Sequence, residues 1–306
     1  MSVFKSSYIP LCALITAMIL WGSSFIAFKY ALMTFDPIVI VFARMIISSI
    51  LFLLAINMWL PKRFFKKDLG LLLFMAMCEP CLYFLLEGYA LTLTTASQAG
   101  MVSATLPILV AFLSFLLFRE RLCARSWSGL ILAVGGVIWV SLAGKSTEAA
   151  PYPALGNLLE MLAMTCAAGY TLSIKKLSAT YSPWFLTAVQ SFVGSFFFFP
   201  LLYLPTTNHP LTYPLGPSLA VLYLGSCISI GAYGFYNFGL SRLPAWQASA
   251  FINLIPVIAL FFGWLFLRET MGYGQMVGAV LVFVGVIMSQ DWVAHFKSHQ
   301  NQEPLE

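Results

Sequence analysis

TLPILVAFLSFLLFRE, residues 105–120, returns as LIPVIALFFGWLFLRE at residues 254–269. Each copy holds a proline inside an apolar run and closes on an Arg-Glu pair. Sliding the chain by 149 residues aligns more than these segments. Ala96 falls on Ala245, Gln98 on Gln247, Ala99 on Ala248, Pro107 on Pro256, Phe112 on Phe261, Arg119 on Arg268 and Glu120 on Glu269. The register continues through Gly129/Gly278, Gly136/Gly285, Val137/Val286 and Ile138/Ile287. One register held across two apolar runs and their loop marks a duplication. It divides the chain into residues 1–148 and 149–306.

The rest of the composition says where such a duplicated chain can live. Of 306 residues, 60% are hydrophobic and only 9% charged, with a mean hydropathy of +0.89. Soluble domains carry about a quarter charged residues. No globular core hides this much apolar surface, so the chain is a multi-spanning membrane protein. The net charge of +5 does not point to nucleic acid, because the basic residues sit in short clusters between apolar runs. The cysteines (Cys12, Cys78, Cys81, Cys123, Cys166, Cys227) lie in apolar runs or in a basic loop, and no structural disulfide is expected. Lys5 precedes about twenty apolar residues, too long for a signal-peptide core and read as a first span.

A helix needs roughly 20 apolar residues to cross a bilayer. Counting such runs predicts ten spans, at 9–31, 37–59, 69–91, 97–118, 125–143, 155–177, 182–204, 216–240, 245–267 and 272–290. Basic residues follow the even-numbered spans: Lys62, Arg63, Lys66 and Lys67, then Arg119, Arg121 and Arg125, then Lys175 and Lys176, then Arg242. The positive-inside rule makes that face cytoplasmic, with both termini inside. Lys145, Arg268 and Lys29 stand opposite. A five-span unit is odd, so its second copy enters the membrane the other way up. Inverted repeats of this kind build a midplane site between two halves that rock around it.

WGSSFIAFKY in span one, FARMIIS in span two and YALTLTTASQAGMVSATLPILVAFLSFLLFRERL across spans three and four resemble the EamA-type transporters of the drug/metabolite transporter superfamily. GLSRLPAWQASAFINLIPVIALFFGWLFLRETM and GQMVGAVLVFVGVIM repeat the pattern. The resemblance covers residues 9 to 290. It implies an all-α secondary carrier, ten transmembrane helices as two inverted five-helix repeats around a central cavity. Its cargo would be an amino acid, metabolite or drug-like compound, usually moved outward.

Charges inside a bilayer are costly and mark functional sites by default. Arg44, Glu79 and Glu87 are the clear cases. Glu79, Tyr83 and Glu87, at i, i+4 and i+8, fall within an arc of about 80° on a regular helix. Glu79 lies ten residues from Leu69, about 15 Å deep and close to the midplane. No basic residue shares its depth, so its carboxyl could bind a substrate ammonium, carry a proton, or sit neutral and hydrogen-bonded. Glu87 lies level with Arg44. The two either form a structural ion pair or divide their work, with Arg44 meeting a substrate carboxylate.

Pro107 and Pro256 would free the carbonyls of Ser103 and Ile252, either as static kinks or beside a cavity, which Asn253 would then face. Trp21 and Tyr83 are candidates for stacking on a solute, against simple packing. Lys29 reads as snorkelling.

Other motifs are discounted. CEPC at Cys78–Cys81 lacks the second ligand pair of a zinc site and reads as cysteines around a kink at Pro80. His209, His295 and His299 form no ligand set, so no metal or cofactor is expected. Gly135-Gly136 and VGAVLVFVG offer small-residue faces for helix packing or a dimer; oligomeric state is left open. No Walker A motif is present, which argues against ATP as the energy source. A lipid-modifying enzyme would need a catalytic constellation at membrane depth, and no histidine or aspartate lies deep in any span. The reading is therefore a secondary transporter in the cytoplasmic membrane, probing a small solute from either side. An exporter is favoured over a proton-coupled importer.

Overall fold

The computed structural model describes residues 5–61, 63–118, 124–144, 146–243 and 251–289. Those residues form ten helical spans, in two sets of five. The first set is α1 (Lys5–Ala31), α2 (Pro37–Leu54), α3, α4 and α5 (Ala124–Ala143). Within it, α3 is built from Leu69–Ala76, Met77–Leu82 and Tyr83–Leu93, and α4 from Ala96–Ser103 and Leu106–Phe118. The second set is α6 (Pro153–Leu177), α7 (Pro183–Leu201), α8, α9 and α10 (Tyr273–Ser289). Here α8 joins Leu215–Tyr223, Leu224–Ala232 and Tyr233–Arg242, and α9 joins Phe251–Asn253 to Leu254–Leu267.

Six of the spans, α1–α4, α7 and α8, are long and apolar enough to cross a membrane on their own merits; α5, α9 and α10 are shorter apolar helices over their described residues. The remaining one, α6, carries Glu160, Lys175 and Lys176.

Local chemistry sets the helix starts. Asp36 before Pro37 accepts the Ile38 N–H at 2.9 Å, Thr95 accepts that of Gln98 at 3.1 Å, and Ser182 before Pro183 accepts that of Phe185 at 3.2 Å. Short polar side chains at the N-cap satisfy donors that a helix otherwise leaves open, and proline at the first position lacks the donor altogether. The expected second span, 37–59, is shorter than its apolar run. Ala55 leaves helical geometry (φ −105°, ψ 23°), and Ile56–Trp59 forms a separate turn held by Trp59 Nε1 donating to the Phe52 carbonyl at 2.7 Å. The other described ends fall within four residues of expectation. The expected start of span nine, with Ala245, Gln247 and Ala248, lies outside the described residues, as do Lys62, Arg119, Glu120, Arg121, Cys123 and Lys145.

The prolines stand just after the helix breaks. In α4 the chain breaks at Ala104–Thr105, upstream of Pro107, through turns in which Ala104 N–H reaches the Met101 carbonyl and Thr105 N–H that of Val102. Pro107 and Pro256 instead stand in the first turn of the segments Leu106–Phe118 and Leu254–Leu267. A missing N–H costs nothing there.

The duplication is visible in the packing. The helix pairs in contact include α3 with α6 and its repeat mate α8 with α1, and α1 with α9 and its mate α6 with α4. The pairs α2–α7, α4–α9 and α5–α10 each join a helix to its own counterpart. The α5–α10 seam is made by glycine. A Cβ on Gly136 would stand 2.7 Å from the Val282 backbone nitrogen, and one on Gly278 would stand 2.8 Å from that of Val140. The small-residue faces are thus used within the chain.

Two lysines show that the copies are inverted. Lys29, at the end of α1, donates through Nζ to the carbonyls of Leu91 and Thr94, at 2.6 and 2.7 Å. Lys175, at the end of α6, donates to those of Leu240 and Leu243, at 3.1 and 3.2 Å. Leu240 and Leu243 are Leu91 and Thr94 displaced by 149. The Tyr152 N–H bonds the Leu93 carbonyl at 3.2 Å, so α6 starts at the Lys29 end. Its 25 residues then span about 37 Å at 1.5 Å per residue, which puts Lys175 at the opposite end.

Candidate functional site

The helix break in α3 positions the central carboxylate. Glu79 has extended backbone (φ −148°, ψ 116°) where α3 is otherwise helical, and its peptide bond to Pro80 is cis. The Gln190 side chain on α7 donates to the freed Glu79 carbonyl at 3.1 Å. The predicted single arc of Glu79, Tyr83 and Glu87 therefore holds only for the last two. Tyr83 donates its hydroxyl to Glu87 Oε1 at 2.7 Å, one turn away. Glu79 is not partnerless either: the Tyr233 hydroxyl on α8 donates to its Oε1.

Arg44 on α2 is 2% exposed. Its Nε donates to Ser229 Oγ at 3.2 Å, and its guanidinium lies 4.0 Å from the centre of the Phe84 ring. The stacked ring and the serine hold the guanidinium plane without neutralising it. Among the described residues Arg44 makes no direct ion pair with Glu87, so the structural-pair reading is set aside. Both side chains instead line one central cavity together with Glu79, Tyr83 and Trp21.

That cavity lies between the halves and its lining repeats the register. Trp21 and Tyr170, Glu79 and Ile228, Phe84 and Tyr233, Glu87 and Tyr236, Ser103 and Ile252, and Leu106 and Ile255 all line it, and each pair is separated by 149. The first half contributes every charge, and the second places tyrosine or isoleucine at the matching positions. Trp21 packs on Tyr233 and Tyr236 with ring centres 5.1 and 4.8 Å apart, and its buried indole N–H has no partner. Asn253 is not among the lining residues; its neighbours Ile252 and Ile255 are, and its Oδ1 is buried unpartnered. Pro107 and Pro256 do not line the cavity themselves, whereas Ser103 and Ile252 do.

The cavity volume is about 40 Å³. A water molecule takes about 30 Å³ of liquid, whereas small-molecule sites run to roughly 300–1,000 Å³. The site is contracted in this conformation. At the Lys29 end a separate vestibule of about 570 Å³ is lined by Lys29, Asp36, Glu148 and Glu269 among others.

Below that vestibule the chain is tied across its two halves. Besides the two carbonyls of α3, Lys29 Nζ reaches the Ala149 carbonyl at 2.5 Å. Glu269, beyond the end of α9, accepts the N–H groups of Ala96 and Ser97 at 2.9 Å each. A carboxylate at the start of α4 satisfies open donors and meets the positive end of the helix dipole. The lysine expected to snorkel is a helix cap.

The EamA-like transporter family matches this chain twice, over residues 8–142 and 154–289. The chain belongs to that family. The transporter is 27% identical over 288 residues to "Uncharacterized transporter YetK" of Bacillus subtilis, covering 92% of this chain and 86% of that one. It is 23% identical to the "Probable terminal-alkyne amino-acid exporter" of Streptantibioticus cattleyicolor, over 90% of this chain and 91% of that one. A crystal structure with 17% identity superposes with a TM-score of 0.62, covering 97% of the transporter and 99% of that chain, and shows the same fold. A membrane-embedded carrier of small-molecule solutes is what these likenesses establish.

The structure also brings in residues that inspection of single spans misses. Tyr170, Tyr233 and Tyr236 could have been found by carrying Trp21, Phe84 and Glu87 forward by 149. Glu160, near the start of α6, is fully buried.

Proposed function

We propose that this transporter exports a small amine-bearing organic solute, an amino acid or close relative, by alternating access across the cytoplasmic membrane, with both termini in the cytoplasm. The carrying observation is the pairing inside one cavity of an arginine without an ion-pair partner and two carboxyl groups, walled by aromatic rings. Arg44 meets the solute carboxylate through its free guanidinium edge. Glu79 meets the ammonium, and the Trp21 indole N–H and the surrounding tyrosines select an apolar or aromatic body. The units 1–148 and 149–306 rock about the cavity, which must expand from its contracted volume to admit a solute. The relative named as an amino-acid exporter supports both the cargo class and the direction.

Glu79 is also the coupling residue in this reading. Its hydroxyl partner Tyr233 is neutral, so an ionised Glu79 gains further stabilisation when a solute cation or water reaches it. Binding the ammonium releases the proton, and the proton's return follows solute release. Proteoliposomes loaded with a radiolabelled amino-acid panel under an imposed pH gradient test this. Wild type should accumulate one class of solute, and Glu79→Gln should keep downhill exchange but lose the gradient-driven part. Wild-type accumulation profiles in Glu79→Gln would overturn the assignment. Accumulation with the opposite gradient polarity would make the chain an importer.

A further inference from the structure

Glu160 is 0% exposed, and neither of its carboxyl oxygens has a hydrogen-bond partner. It stands on the face of α6 that lines the cavity: Met164, Ala167 and Thr171, at four, seven and eleven residues further on, all do so. Helical spacing puts these four on one stripe, with Glu160 one turn toward the Lys29 end.

The register between α3 and α6 says what it faces. The helices are antiparallel, and Gly156 abuts α3 so closely that a Cβ there would stand 2.7 Å from Thr94 Cβ and 3.0 Å from the Ala90 carbonyl oxygen. Thr94 also donates to Asn157 Oδ1 at 2.8 Å. One turn inward from Gly156 is Glu160, and one turn inward from Ala90, two from Thr94, is Glu87. This register places the two carboxyl groups at a similar depth on the packed pair α3 and α6.

We infer that Glu160 and Glu87 form a second proton-binding site, separate from Glu79, in which Glu160 holds the proton and Glu87 exchanges it with the cavity. The assignment follows from the partners. Glu87 accepts from the Tyr83 hydroxyl and shares the cavity with Arg44, so it is the member suited to carry charge. A charged Glu160 would be bare in a low-dielectric interior, which is far costlier than a neutral acid. In the transfer the Glu160 O–H bond breaks and an O–H bond forms on Glu87; the pair keeps one proton and one negative charge throughout.

The surroundings offer nothing else to neutralise Glu160. Among the described residues, α3 adds Tyr83 and, at its break, Cys78, Glu79 and Cys81. From α8 come Tyr233 and Tyr236, with Arg242 at the far end. The segments of α4 and α5 packed on α6 bring no ionisable group but Arg125, which is exposed at the far end of α5. Lys29 is committed to three carbonyls. Nor does the site suit a metal ion: no group of three or more His, Cys, Asp or Glu side chains is arranged to hold one among the described residues, and Asn157 is already bonded to Thr94, Gln98 and Ser141. A role in coupling rests on the export reading above; the proton site itself does not.

Infrared spectroscopy of the purified protein in phosphatidylethanolamine/phosphatidylglycerol nanodiscs tests it without any solute. At neutral pH wild type should show the C=O stretch of a carboxylic acid lacking hydrogen bonds. Glu160→Gln should lose that band and Glu79→Gln should keep it. On transfer to deuterium oxide, Glu87→Gln should slow the isotope shift of the same band, because the exchanging partner is gone. A wild-type spectrum from Glu160→Gln, or unchanged exchange in Glu87→Gln, would overturn the proposal. Both readouts stand even if every amino acid tried in vesicles fails to move.

Discussion

Replacing Lys29 by methionine should open the cavity toward the Lys29 end, and the size of the effect can be worked out from the cap. Its ammonium makes three bonds, at 2.6, 2.7 and 2.5 Å. A side-chain hydrogen bond inside a membrane bundle contributes about 0.6 kcal/mol on average and up to about 1.7. Only the Ala149 bond joins the two halves, and a charged donor at short range belongs near the upper figure, about 1.7 kcal/mol. The bonds to Leu91 and Thr94 lie within the first half and keep the side chain ordered in either state, so its ordering cost of about 2 kcal/mol cancels. The net preference for the closed end is then about 1.7 kcal/mol, or roughly 15-fold in population at about 1.4 kcal/mol per factor of ten. Lys175 makes only two bonds, at 3.1 and 3.2 Å, and its side chain is exposed. At the average figure these give about 1 kcal/mol, less than the ordering cost, so Lys175→Met should change little. The assay is the labelling rate of a single cysteine at a cavity-lining position (Ser24→Cys, with the native cysteines replaced). A membrane-impermeant maleimide is applied from the Lys29 side of oriented vesicles. Lys29→Met should raise that rate by up to roughly 15-fold, and Lys175→Met should leave it within about two-fold. Equal effects from the two variants, or none from Lys29→Met, would refute the reasoning.

Reporter tags in the loop PTTNHP (205–210) should be reached from outside and tags in PKRFFKKD (61–68) only from the cytoplasm; a shared side would remove the inverted repeat. Gly136→Ala should cost about 3 kcal/mol through overpacking, seen as a lowered unfolding temperature in detergent. Gly70→Ala, with nothing within 4 Å of the added carbon, should leave that temperature unchanged or slightly raised. Arg44→Lys keeps the charge but loses the planar stack on Phe84 and the Nε bond to Ser229. It should weaken uptake of a carboxylate-bearing solute by about 30-fold or more, the roughly 2 kcal/mol expected for breaking a buried charged contact, while folded yield is retained.

The 149-residue register gave the architecture because it is a property of many residues at once: Gly129, Gly136, Gly278 and Gly285 announce the α5–α10 seam, and the odd number of spans announces the inversion. Arg44, Glu79 and Glu87 were legible because charge in an apolar run has few explanations. What could not be read was geometry that depends on a broken helix. Periodicity treated Glu79 as one more helical residue, whereas its extended backbone turns the carboxyl toward Tyr233, 154 residues away. The prolines signalled the breaks but not their form: each helix stops upstream, so the proline stands in an ordinary first turn. Lys29 was misjudged through depth alone, and Glu160 gave no signal of its own. Nearness to a span's end suggested water, but the ends of α1 and α6 are covered by neighbouring chain.

The Lys29 cap also orders events during synthesis. Its acceptors lie 62, 65 and 120 residues further along the chain, and the last, Ala149, belongs to the second half. As the chain emerges, the lysine must wait, charged and hydrated, while four more spans are made. The first five helices can gather before then, but their fastening is completed only by the first residues of the segment that begins the return copy. A ribosome stalled just short of Ala149 would leave a finished half with its clasp undone.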